Sequence, residues 1–159
     1  MKAATLSELK KDLSNMPQAE VVELCLRLGR FKKENKELLT YLLFEAGDEE
    51  AYVAGIKEEV DLHFKEINYT NVYFAKKSYR KILRIINKYI RYSGSKQTEV
   101  ELLIIYCQHL KNTEISIHAS TALTSLYQRQ LEKIKKTVAT LHEDLQYDYE
   151  EKLKELSSY

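Results

Sequence analysis

The chain has 159 residues with a formal net charge of +1 and 44% hydrophobic residues, enough apolar material to build a core in one domain. Its 4 glycines and 1 proline compare with about 19 expected from average usage, which excludes a turn-rich β-sandwich or barrel and any glycine-rich phosphate loop. A chain this close to neutrality has no global field to steer it onto nucleic acid or an anionic membrane.

Periodicity is helical almost throughout. Leu6, Leu9 and Leu13 predict a first helix over residues 7–13. Asn15 followed by Pro17 and Gln18 reads as a capping box that starts a second helix. Its inward stripe is Val21, Val22, Leu24, Cys25 and Leu28, with Gly29 as an end or a bend. A third helix over residues 32–46 buries Leu38, Leu39, Leu42 and Leu43 and stops at Gly47. Asp48 then caps a fourth helix whose stripe is Val53, Ile56, Val60, Phe64 and Ile67. Residues 68–71 form a loop, a fifth helix occupies 72–92, and a sixth, over 97–111, reads as the most buried.

From Ser116 onward a single long C-terminal helix is expected, running to the end of a single domain over 1–159. Leu123, Tyr127, Leu131, Ile134, Val138, Leu141 and Leu145 follow one another at steps of three and four, close to a heptad seam. Forty residues of helix would span about 60 Å, longer than a compact domain of this size. The helix therefore either breaks or projects, and a projecting apolar seam wants a partner. Leu131, Ile134, Val138, Leu141 and Leu145 are accordingly the candidate self-association residues, for a homodimer or for another protein. The competing reading is an intramolecular seam against helix five or six.

Charge is segregated. Between Ile67 and Thr98 stand eight basic residues and no acid, and Lys77, Lys81, Arg84, Lys88 and Arg91 fall within about an 80° arc of the fifth helix. Three readings compete for this ridge: a face balanced by the acids of the fourth helix, a nucleic-acid contact, or a contact with an acidic protein surface such as a second copy's C-terminal segment. Interleaved Tyr73, Tyr79, Tyr89 and Tyr92 could stack on bases, although their phase points most of them inward.

No motif for catalysis, cofactor or metal is present. His63, His109, His118 and His142 lie outside three- or four-residue spacing from one another and from any cysteine. Cys25 and Cys107 are too few for a disulfide framework and sit in apolar helical runs. An N-terminal stretch without an apolar core segment, and no apolar run near 20 residues, lead to the expectation of a cytoplasmic protein that does not span a membrane. The run Leu9-Lys-Lys-x-Leu13, then Val22-Glu-Leu24, then Arg30-Phe-Lys-Lys-Glu-x-Lys36-Glu-Leu-Leu resembles small uncharacterised bacterial all-helical proteins over residues 1–45. That resemblance implies a helical fold and a bacterial cytoplasmic setting, and it implies no activity or site residue. The expectation is an all-α fold of six or seven helices, as an antiparallel bundle or short helical stack. Its function is that of a non-enzymatic interaction or scaffold module, with nucleic-acid binding through the ridge as the alternative.

Overall fold

A computed structural model describes residues 2–158, and they form two compact units, one ending at Phe44 and one beginning at Glu45. All regular structure among the described residues is helical, with eight α-helices rather than six or seven.

In the N-terminal unit, α1 (Leu6–Ser14) starts at a capping box that periodicity alone does not indicate. The Thr5 hydroxyl accepts from the Glu8 N–H, and a Glu8 carboxylate oxygen accepts from the Thr5 N–H at 2.7 Å. The Thr5 N–H foremost, and then the Thr5 hydroxyl, which donates to the same carboxylate oxygen at 2.8 Å, hold the Glu8 carboxyl below its usual pKa. Asn15, expected to open α2, closes α1 instead: its backbone is right-handed helical and its side-chain amide donates back to the Lys11 carbonyl at 2.9 Å. Pro17 occupies the cap of α2 (Gln18–Phe31) without a side-chain bond. Gly29 neither ends nor interrupts α2. It lies where α2 meets α3 (Lys33–Thr40), and a Cβ there would stand 3.3 Å from a Leu39 methyl. Lys32 is the only link between the two helices, and the Asn35 amide satisfies the Leu28 carbonyl at 2.9 Å. The segment expected to be one helix over 32–46 passes at Tyr41 into a π-turn, Tyr41–Glu45. Leu38 and Leu39 are half-buried, whereas Leu42 and Leu43, expected inside, are exposed.

The second unit is organised around α6. Asp48 caps α4 (Glu49–Lys65) by accepting from the Ala51 N–H at 2.9 Å, and α4 buries Tyr52, Ile56, Val60 and Phe64. After residues 68–71, Asn71 caps α5 (Val72–Ser93), which buries Ala75, Tyr79, Ile82, Ile86 and Ile90. Gly94 ends α5 at φ 68°, the left-handed conformation that favours glycine, and Ser95 caps α6 (Lys96–Lys111). Helix α6 meets α4, α5, α7 and α8, which accounts for its eight buried residues and for the absence of a clear polar stripe in its sequence. Tyr106 donates to the Tyr79 carbonyl at 3.1 Å, and Phe64 lies 6.0 Å from both tyrosine rings, so α4, α5 and α6 share one aromatic centre.

The terminal segment is not one continuous helix. A short 3-10 turn (Ile117–Ala119) precedes α7 (Thr121–Val138), and α8 (Glu143–Ser157) is a separate helix. At the break the backbone tightens to i→i+3 bonds, Thr140 to Thr137 and Leu141 to Val138, while the Thr140 hydroxyl also takes the Thr137 carbonyl at 2.7 Å. His142 then turns extended and its ring caps α8. The two helices pack together: Tyr127 donates to the Leu156 carbonyl at 2.8 Å, and Lys111 of α6 donates to the Glu155 carbonyl at 2.6 Å. Last-turn carbonyls that would face solvent on a projecting helix are thus satisfied within this unit. Among the described residues no helix is long and apolar enough to cross a membrane.

Candidate functional site

Three places in the molecule carry features that the core does not need. The first is the outer face of α5. Its buried residues lie together on one side, and all seven of its cations occupy an arc of about 140° on the other. The ridge residues Lys77, Lys81, Arg84 and Arg91 are exposed, while Lys88 is half-buried with its ammonium 4.8 Å from the Tyr89 ring centre and 5.9 Å from that of Tyr92.

Two acids of α4 reach hydroxyls of α5 and α6. Glu59 accepts from Tyr89 at 2.7 Å, and Glu49 accepts from Ser93 and Thr98. Among the described residues no carboxylate lies within 4.0 Å of the charged groups of Lys76, Lys77, Arg80, Lys81, Arg84 or Arg91. The long side chains of Lys76, Lys77, Arg80 and Arg84 wall a trough of about 550 Å³ that has Leu83 and Asn87 in its lining and Tyr73 at its N-terminal end. Tyr73 is 65% exposed, and Phe74 beside it is also exposed. The sequence reading missed Lys76 and Arg80, which the arc of the ridge excluded but the trough requires.

The second place is the C-terminal seam. Leu131, Ile134 and Val138 are buried in the core of the second unit, with Ile134 fully enclosed, and Leu141 and Leu145 are half-buried, one in the turn and one on α8. Because the chain folds back at 139–142, this stripe is occupied by the unit's own helices.

The third place is a cavity of about 460 Å³ between α4, α6 and the end of α8. Here His109 Nε2 and Asp61 Oδ1 are 2.6 Å apart, and the imidazole stacks on Phe64 with ring centres 4.5 Å apart. A histidine oriented by a carboxylate is half of a proton-transfer device. Among the described residues, the lining includes no serine, threonine or cysteine, and the Lys111 ammonium is engaged by backbone carbonyls. His63 pairs with Glu59 and Glu66 of its own helix, and His142 with Asp144. Among the described residues no group of three or more His, Cys, Asp or Glu is placed to hold a metal ion. Cys107 is fully buried, which pushes its thiol pKa up to about 12.

The N-terminal unit adds a feature that the periodicity reading obscured. No residue of α1, α2 or α3 is fully buried. On α2, Val21, Cys25 and Gly29 form the half-buried line on the Leu39 side. Leu24, Leu28 and Phe31 lie to one side of that line and Val22 and Leu26 to the other, all exposed, with Leu28 at 58% and Phe31 at 83%. The readable signal was the width of the apolar arc of α2, about 220°, which one neighbouring helix cannot cover. Comparison of the chain with family models, with curated proteins and with solved structures finds no match in any of the three.

Proposed function

We propose that the protein is a non-enzymatic interaction module that self-associates through its N-terminal helices. The observation that carries this reading is the open apolar surface of α1–α3: Leu6, Leu24, Leu28, Phe31, Leu43 and Phe44 are all exposed on a unit with no fully buried residue in its three α-helices. Monomeric proteins rarely leave contiguous apolar patches beyond a few hundred Å² in water. On α2, Leu24, Leu28 and Phe31 share one flank of the line that faces α3, so they can enter one contact. A second copy is the occupant that fits, because two such surfaces would cover each other in one symmetric contact.

In this reading α4–α8 are the scaffold, a bundle around α6 in which α4 and α5 run antiparallel. Support comes from Glu49 meeting Ser93 at one end of the pair and Phe64 meeting Tyr79 towards the other.

The double variant Leu28→Glu/Phe31→Glu tests the placement of the contact. Its mass by light scattering should fall to that of one chain while its far-UV circular dichroism stays unchanged, since both side chains face solvent in the single chain. An unchanged oligomeric mass would remove the contact from α2.

A further inference from the structure

The cationic face of α5 belongs to the second unit, whereas the surface assigned above to self-association belongs to the first. We infer that this face binds the phosphate backbone of single-stranded nucleic acid, with Tyr73 stacking on a base. Charge comes first. Helix α5 carries seven basic residues and no acid, and six of those cations have no carboxylate within 4.0 Å among the described residues. From Lys76 to Arg91 these six run along about 22 Å of one rigid helix as a linear array.

The second observation is the ring. On the helical wheel Tyr73 falls at the middle of the cationic arc, one turn before Lys76 and Lys77, and it lies at the mouth of the trough rather than in the core. Its ring meets Phe74 edge-on, with centres 5.6 Å apart, and stays largely exposed. A cationic trough with an aromatic platform at one end is what a flexible polyanion with π-faces requires.

An acidic helix is the rival occupant. Asp144, Asp148, Glu151 and Glu155 of α8 form an exposed stripe stepped by four, three and four, much like the ridge itself. Lys, Asp and Glu are depleted at protein interfaces, and exposed ion pairs between them contribute little. Phosphate contacts differ, because each releases condensed counterions and so makes a lysine productive. An acidic helix also gives Tyr73 no role.

The test is fluorescence anisotropy of a labelled oligothymidylate of about 20 nucleotides titrated with the full chain at several salt concentrations. Binding should weaken linearly in log–log form, with a slope of about −0.7 per phosphate, so between about −3 and −4 for four to six contacts. Arg80→Glu/Arg84→Glu should weaken binding about tenfold or more and flatten the slope by about 1.4. The neutral pair Arg80→Gln/Arg84→Gln should flatten it similarly, which keeps the result independent of any local misfolding caused by charge reversal. Tyr73→Ala should weaken binding about fivefold at an unchanged slope. Leu28→Glu/Phe31→Glu should leave the affinity intact, so failure here and failure of self-association are told apart. No anisotropy change at low salt, an unchanged slope in both arginine variants, or equal competition by polyglutamate would overturn the assignment. The last outcome would make the partner an acidic protein.

Discussion

Replacing Ile134 by alanine should lower the stability of the second unit by about 2–5 kcal/mol, the cost of emptying a packed site, and leave the mass of the protein in solution unchanged. Ile134 has no exposed surface, and it sits on α7 where that helix meets α6. Thermal denaturation should show a midpoint lower by roughly 10 °C. In the sequence Leu131, Ile134 and Val138 fit either a dimer seam or an intramolecular one, and on the dimer reading the same substitution would reduce the mass and spare the fold. A variant that becomes smaller without becoming less stable would therefore contradict the placement of the seam inside the unit.

Alkali should unfold the second unit steeply. Tyr106 and Tyr79 are enclosed, and burial raises both phenols above their ordinary value near 10. Tyr149 is raised by burial and by its 2.8 Å hydrogen bond to Glu101, and Cys107 is raised by burial. Each group holds its proton more tightly in the folded chain than in the unfolded one. Their contribution is therefore fully present below the unfolded pKa and is lost as pH climbs towards the folded value. Each buried phenol should remove about 1.4 kcal/mol per pH unit once the pH passes about 10. Tyrosinate absorbance and loss of far-UV circular dichroism should appear together in one cooperative step. Phenol ionisation that runs far ahead of helix loss would show that Tyr106 and Tyr79 are accessible in the folded state.

Much of the second unit was legible because its signals are local. Asp48 caps α4 as its position before Glu49 and Glu50 indicated, and Ile56, Val60, Phe64 and Ile67 are buried at the spacing read from the chain. Gly94 stops α5 because glycine takes that left-handed backbone without a Cβ penalty. The break at 139–142 was not legible, since it contains neither glycine nor proline; threonine hydroxyls and the tight backbone bonds of residues 137–141 end the helix, and α8 gains its place by packing on α6 and α7. Asn15 misled because asparagine serves either end of a helix, and only the backbone angles decide which.

The candidate sites divide along the same line. The cations of α5 were visible as a ridge, but whether acids of α4 neutralise them depends on rotamers; Glu59 reaches the Tyr89 hydroxyl and Glu49 that of Thr98, and no carboxylate among the described residues comes within 4.0 Å of six of the seven cations. The apolar residues of α2 were assigned to a core because apolar spacing alone does not reveal how many neighbours a helix has. One helix contact covers the Val21–Cys25–Gly29 line, and the flanks remain open.

The most direct measurement is the mass of the full chain by light scattering after gel filtration, at about 0.1 M and about 1 M NaCl, where the Debye length falls from about 10 to 3 Å. An apolar contact through α1–α3 predicts twice the 18.7 kDa of one chain at both salt concentrations. A mass of 18.7 kDa at both would contradict self-association, and a dimer lost at high salt would place the contact on the charged helices instead.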